Sequence, residues 1–428
     1  MRDLTSERLP MLRAGRVEGL DLGDEFVYPA YGGNSIVNMA SSVCALLGLP
    51  GLGAPALDAA LLAPLGGGIK RVLLILMDAL ALHRLQAWME EEAPVWRRVA
   101  DGGVLAPLTS ICPSTTCAAL TSVWSGRTAR EHGVMGYEMW LKEYGVVANM
   151  ILHSPMALKQ VGMLEQAGFE PEKYLPWQTL GEHLKAHGVE AHAFQPASIA
   201  RSGLSRMFMR ETKIHSFHTP SELWVGVRKF LETSTAERLF AWVYWGQVDH
   251  FSHVHGPDEE QARAEFGAFS REFERLFFEK LASAARRDTA VILMADHGQV
   301  TTPKAERYWL KNHPKLAQRL HILPTGENRL MYLYPQAGGA GAVRRYVESA
   351  WGDDFVLRES REVAESGLFG GRDLPMHANL LERVGDFTVF ARKRAYLWWG
   401  AQENPLLGRH GGLTEQEMVV PFLAGRLG

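Results

Sequence analysis

Cysteine is scarce in this chain: Cys44, Cys112 and Cys117 are the only three in 428 residues. So small and odd a number argues against a disulfide framework and fits a reducing compartment. Net charge is also nearly absent, with 45 Lys and Arg against 48 Asp and Glu, −3 in total. Such balance lacks the electrostatic footprint of a polyanion binder, so neither nucleic-acid polymers nor a membrane surface is expected as a partner. Long apolar runs are missing too. The most apolar stretch, 43–68, is broken by Pro50, Pro55, Asp58, Pro64 and several glycines, which makes it a poor membrane span. The opening Met1-Arg2-Asp3-Leu4-Thr5-Ser6-Glu7-Arg8 mixes charges of both signs with no apolar segment behind it, which reads as no signal peptide and a cytoplasmic protein. No internal repeat, low-complexity tract or long linker is present.

What the chain does have is enough apolar residue for a sizeable core, 46% of the total, and three apolar runs that each lead to an aspartate. Arg71–Met77 runs into Asp78. Leu239–Trp245 is followed by Asp249, and Ala290–Met294 by Ala295-Asp296-His297-Gly298. Runs rich in Val, Ile and Leu without polar alternation suit strands covered on both faces, and hence a parallel α/β sheet. Ligands of such sheets bind at the carboxyl ends of the strands. Alone, Asp78 reads better as the N-cap of a following helix over 82–99; the repetition of the pattern favours a site.

The remaining elements fill in an α/β architecture: a mostly parallel central sheet sandwiched by helices. Residues 1–70 read as an irregular leader packed on the core, with a helix from Ile36 to Leu47. Residues 71–300 form the core and 301–404, richer in charge and with weaker strands, an inserted cap subdomain. Residues 405–428 return to the core through the apolar run Met418–Leu423. After a short strand over 104–108, Ser114-Thr115-Thr116 precede the helix formers Ala118, Ala119 and Leu120, and Gly126 suits that helix's end.

Six residues are candidate metal ligands: Asp78, Asp249, His253, Asp296, His297 and His410. Imidazole and carboxylate together suit zinc or another first-row divalent ion, and six ligands would serve two ions. Asp249 and His253, four apart, share either a helical face or a tight loop. His250 and His255 read as structural. Thr116, at a helix N-terminus, lies among unpaired N–H groups that attract phosphate. A threonine hydroxyl is a weak nucleophile unless a metal or base takes its proton. Without the ligands, the same hydroxyls would read as a capping cluster.

These elements resemble the alkaline phosphatase superfamily, and within it the type I phosphodiesterase/nucleotide pyrophosphatase branch. The matching segments are Leu76-Met77-Asp78, Pro113-Ser114-Thr115-Thr116 with Ser125-Gly126 and Glu131-His132-Gly133, Asp249-His250-Phe251-Ser252-His253 with Gly256-Pro257, Ala295-Asp296-His297-Gly298, and His410-Gly411-Gly412. The resemblance implies an alkaline phosphatase-like fold with a cap at 301–404. It also implies two zinc ions, one on Asp249, His253 and His410, the other on Asp78, Asp296 and His297. Thr116 is implied as the nucleophile, ten residues before Gly126, bridging towards the second ion through a phospho-threonine intermediate. His132 matches a position that is not a ligand.

One departure stands out. Where nucleotide pyrophosphatases follow the nucleophile with an aromatic residue, Pro and Asn, this chain has Cys117, Ala118 and Ala119, leaving the Cys117 N–H as the phosphate contact. Tyr137, Trp140, Tyr244 and Trp245 lie near the motifs and are candidates to stack on the substrate. The implied substrate is a small-molecule phosphodiester. A phosphomonoester, phosphonate or phosphomutase substrate on the same fold is the near alternative, and a non-catalytic binding protein the remote one. Arylsulfatase chemistry is disfavoured, because no Cys or Ser carries the Pro and Arg that branch requires. The oligomeric state is not written in the sequence.

Overall fold

The computed structural model describes residues 1–158 and 160–428. The apolar runs become strands of an eight-stranded sheet: β1 (Arg2–Asp3), β2 (Arg71–Met77), β3 (Val104–Thr109), β4 (Glu190–Pro196), β5 (Lys213–Phe217), β6 (Leu239–Trp245), β7 (Thr289–Met294) and β8 (Val419–Arg426), in the order β1-β3-β8-β7-β2-β6-β4-β5. In β2, six consecutive residues are buried, and β6 and β7 are buried throughout. Taking each such Val, Leu or Ile out of water contributes roughly 1.5–3 kcal/mol, which is what fixes these runs at the sheet's centre.

The sheet is mixed. Its neighbours pair in parallel except at β8, which is antiparallel to both β3 and β7. An apolar run reads the same in either direction, so sequence pattern alone could not tell this orientation. It matters for the site: because β8 runs backwards, the loop that enters it lies at the same edge as the carboxyl ends of β2, β6 and β7.

Several expected elements divide. The helix expected over 82–99 is two, Leu82–Glu91 and Val95–Val99, separated at Pro94, which lacks the N–H needed to continue a helix. The leader is more ordered than expected: β1 pairs with β3, and Thr5–Ala14 is helical in spite of Pro10. Residues 36–47 open as a 3₁₀ turn, Ile36–Asn38, before the α-helix Met39–Leu46.

A second sheet of seven strands is antiparallel throughout. It joins Leu320–Glu327, Leu330–Pro335, Phe355–Glu359 and Phe387–Ala391 to three strands from earlier in the chain, Glu138–Leu141, Val146–Asn149 and Ser154–Pro155. The join is the pairing of Gly326 with Glu138. The helix Ala340–Trp351 packs Val343, Val347 and Trp351 into a smaller apolar core with Met331, Leu333 and Phe355, separate from the main one.

Candidate active site

The parallel register sets Met77 opposite Trp245 and Leu76 opposite Met294, so β2, β6 and β7 end level with one another. Asp78 follows directly, and its neighbour Ala79 has φ 62°, a left-handed conformation that costs an L-residue and is found where surrounding structure imposes it. Asp78 is not a helix cap. The helix Leu82–Glu91 starts from Ala81 and has no side-chain cap. Instead Asp78 Oδ2 accepts a hydrogen bond from the Tyr244 hydroxyl, while Oδ1 is buried with no hydrogen-bond partner. Asp296 is similar: Oδ1 accepts from the N–H groups of Ala79 and His297, at 3.3 and 3.0 Å, and Oδ2 is left without a partner.

Helix α1 (Thr116–Ser125) ends at Gly126, φ +64°, where a Cβ would stand 2.1 Å from the Leu52 carbonyl oxygen. Its first residue, Thr116, is one of the sequence candidates, and the Thr116 Oγ1 lies 3.1 Å from His297 Nε2 and 3.5 Å from Asp78 Oδ2. Helix α2 (Gln247–His255) resolves the alternative left open for Asp249 and His253: they lie one turn apart on a helix, with Asp249 Oδ1 3.4 Å from His253 Nε2. The same carboxylate oxygen is 3.8 Å from His410 Nε2, and the Gln299 amide donates to it. His410 reaches it from the loop ahead of β8.

All three histidines are oriented alike. The Nδ1–H of His253 donates to the Gly408 carbonyl (2.8 Å), that of His297 to the Gly298 carbonyl (3.1 Å), and that of His410 to the Ser114 carbonyl (3.2 Å). A carbonyl can only accept, so each Nδ1 carries the proton and each Nε2 lone pair is free to face the cluster. Two groups of ligand atoms lie within 4.8 Å of one another: Asp78, Asp296 and His297, and Asp249, His297 and His410. His253 stands beside the second group through Asp249. Burial raises the Asp78 carboxyl well above the usual range, with Asp296 and Asp249 adding to the effect, and burial raises Asp296 as well. Burial pushes the His410 imidazole well down. Carboxylates crowded without a counter-charge resist ionisation.

Outward from Thr116 opens a cavity of about 570 Å³. Cys117 and Tyr137 line it, as does His250. Trp140 does not; it faces a different cavity with Lys142 and Tyr334. Tyr244 is held under Asp78, and Trp245 stacks on Phe217 and donates to Glu265. His132 is buried, bonded to Ser122 Oγ and the Val134 N–H. Sequence reasoning missed several lining residues: Glu138, Glu327, Trp398 and Trp399. Glu327 Oε1 accepts from the Thr115 hydroxyl (2.6 Å) and the Tyr137 N–H (2.7 Å), tying the second sheet to the start of α1. Behind the site, Arg329 and Glu417 form a fully buried ion pair, and Glu417 also accepts the Gly412 N–H beside His410.

A family model, type I phosphodiesterase / nucleotide pyrophosphatase, matches residues 72–413. The chain belongs to that family. Members are hydrolases acting on phosphoric ester bonds, and this chain is one. Its fold is shared with murine ectonucleotide pyrophosphatase / phosphodiesterase 5, at TM-score 0.60 and 17% identity over 83% of this chain and 87% of that one. An inactive form of the murine protein, in complex with AMP, aligns equally well at 16% identity over 83% and 88%. Phosphonoacetate hydrolase from Sinorhizobium meliloti, in complex with phosphonoformate, aligns at TM-score 0.60 and 18% identity over 85% and 92%. All lie within the alkaline phosphatase superfamily. Comparison with curated protein sequences found no match. Among the described residues no helix is long and apolar enough to cross a membrane.

Proposed function

We propose that this chain hydrolyses a small-molecule phosphodiester through a phospho-threonine intermediate on Thr116, with two divalent metal ions held by the side chains around it. The observation that supports this most is the convergence on one hydroxyl of a helix N-terminus and buried carboxylates with unpaired oxygens.

The residues fit a metal. Asp78 Oδ1 and Asp296 Oδ2 are buried without partners, a costly arrangement unless a cation joins them. The three Nε2 lone pairs are presented by fixed Nδ1–H bonds, the usual outer support of a ligating histidine. Asp78, Asp296 and His297, with Thr116, would hold one ion, and Asp249, His253 and His410 the other; the mixed oxygen and nitrogen donors suit zinc. When bound, such ions supply Lewis acidity that lowers the proton affinity of a hydroxyl and steadies charge on a departing oxygen.

The chain's own residues do the rest. The N-terminal amides of α1, with the Cys117 N–H foremost, are aimed at phosphate oxygens. Thr116 Oγ1 forms a bond to phosphorus and loses its proton, while the bond from phosphorus to one alcohol oxygen breaks and that oxygen takes up a proton. Water then bonds to phosphorus, the Thr116 oxygen–phosphorus bond breaks, and a water proton returns to Thr116. The second sheet acts as the cap: Tyr137, Glu138 and Glu327 wall the cavity from that side.

Arg409 is the one Lys or Arg among the described lining residues, and its guanidinium donates to Asn328, Thr302, Asn404 and the Leu406 carbonyl. The reading is tested by elemental analysis of the purified chain together with rates on bis(p-nitrophenyl) phosphate and p-nitrophenyl phosphate. Bound divalent metal with a higher rate on the diester is expected. A chain that binds no divalent ion in supplemented buffer, or prefers the monoester, contradicts it.

A further inference from the structure

Gln299 follows Asp296-His297-Gly298 and is wholly buried, outside the lining of the cavity in front of Thr116. Its side-chain amide donates twice to one residue: Nε2 reaches the Asp249 backbone carbonyl at 3.2 Å and also Asp249 Oδ1. A backbone carbonyl can only accept, so the NH2 end of the amide must face Asp249 and Oε1 must face away. There Oε1 is buried with no partner, against Gly408, where an added Cβ would stand 2.5 Å from it. An orphaned buried acceptor is costly, and a Met of similar length would fill the space without one. Packing therefore does not account for an amide at this position. Solvation of Asp249 does not either, because Asp249 lines the cavity, where water reaches it.

Gln299 is itself held from two sides. Arg84, buried on the helix Leu82–Glu91, donates Nη1 to the Gln299 carbonyl at 3.0 Å. Its Nε and Nη2 go to Asp258 Oδ1 at 3.2 and 2.8 Å, and Asp258 Oδ2 accepts from the Thr301 hydroxyl at 2.8 Å. On the other side, Val300–Thr301 pairs antiparallel with Gly408–Arg409, directly ahead of His410. The Gly408 carbonyl takes the Nδ1–H of His253. Gln299 thus touches the two segments that carry Asp249, His253 and His410. The carboxylates of the other group have different supports: the Tyr244 hydroxyl for Asp78, and the N–H groups of Ala79 and His297 for Asp296.

Resting on the two-ion reading above, we infer that Gln299 is a positioning residue for one ion alone, the one assigned to Asp249, His253 and His410. The amide pins Asp249 at main chain and side chain together, which keeps Oδ1 3.4 Å from His253 Nε2 and 3.8 Å from His410 Nε2. A carboxylate oxygen has two lone pairs. The amide takes one, and the other is left for a single ion. Without the amide, the Asp249 side chain is free to turn, and ion binding must then bear the entropy of fixing it. Gln299 reaches neither Thr116 nor the cavity, so it acts through Asp249 and not on the reacting atoms.

The test titrates the zinc-loaded full chain with nitrilotriacetate and counts the ions released and the affinity of each. The natural chain is expected to hold two. Gln299→Met should weaken one of them about 10–100-fold and leave the other unchanged. Asp249→Asn should weaken the same ion, which identifies it. In excess chelator, where no ion contributes, the melting temperature of Gln299→Met should match that of the natural chain, because loss of the orphaned oxygen offsets loss of the hydrogen bonds. A merely structural role would lower that temperature and loosen both ions. Should Gln299→Met melt well below the natural chain, Gln299→Asn, which keeps the amide but is one methylene too short to reach Asp249, reads the same selective loss. Equal weakening of both ions, or of neither, in a variant that folds overturns the positioning role and leaves the two-ion reading in place. A natural chain that holds fewer than two zinc ions overturns that reading, and the inference with it.

Discussion

The Thr116 hydroxyl oxygen lies 3.1 Å from His297 Nε2. His297 belongs to both compact groups of ligand atoms, one with Asp78 and Asp296, the other with Asp249 and His410. The nucleophile proposed here thus stands where the two groups of ligand atoms meet, 3.5 Å from Asp78 Oδ2.

That arrangement predicts separable losses of metal. Asp78→Asn should lower the bound divalent content by one ion, and His410→Ala should lower it by the other. Elemental analysis after dialysis checks this. A helix cap at Asp78 would instead cost about 1 kcal/mol of stability and no metal.

Glu327 predicts a pH dependence. Burial pushes its carboxyl from 4.5 up to about 8, so the folded state prefers it protonated. Stability from this group is fully present below the unfolded value and is lost as pH rises through about 8. Glu327→Gln keeps acceptors for Thr115 and Tyr137 but removes the titration. Its Tm relative to the natural chain should therefore rise between about pH 5 and about pH 9. Glu327→Ala leaves both donors unpaired and should cost about 1–3 kcal/mol near pH 5, a cost that shrinks towards pH 9 because this variant lacks the titration as well. Thermal melts across the range read both effects.

The buried Arg329–Glu417 pair predicts an asymmetric result. Arg329→Met strands the Glu417 carboxylate in the interior, and urea denaturation should show a loss of about 3–5 kcal/mol. Because Glu417 also holds the Gly412 N–H and Thr414 hydroxyl, metal affinity at His410 should fall with it.

Gly298, next to His297, predicts a backbone effect. A Cβ there would stand 2.1 Å from the Gln416 carbonyl oxygen and 2.8 Å from Ala81 Cβ. Gly298→Ala must move the chain at the site, and a loss of roughly 1–3 kcal/mol together with lower activity is expected from denaturation and rate measurements.

How much of this was legible beforehand follows from the kind of signal each residue leaves. Asp78 and Asp296 end buried apolar strands, and Thr116 starts a helix that closes at Gly126, so local pattern located them. The two-group division was less legible, since His297 lies within reach of both Asp78 and Asp249 only once β2, β6 and β7 are aligned. Glu327 left no signal. It is one acid in a charge-rich stretch, and what distinguishes it is the pairing of Gly326 with Glu138, two positions almost two hundred residues apart. Tyr244 is one of four stacking candidates in the sequence, yet its hydroxyl lies under Asp78. Its side of the strand was the missing information, because β6 is buried on both faces and shows no alternation. The backward run of β8 was hidden for the same reason.

The central claim is a covalent bond between phosphorus and Thr116, and trapping it is the most direct measurement. The metal-loaded chain, mixed with excess bis(p-nitrophenyl) phosphate and quenched in acid during turnover, should yield a peptide carrying a p-nitrophenyl phosphoryl group on Thr116 by mass spectrometry. Thr116→Ala should keep its metal, lose turnover and give no adduct. A Thr116→Ala variant that binds metal and still turns over the diester at the natural rate would contradict the account.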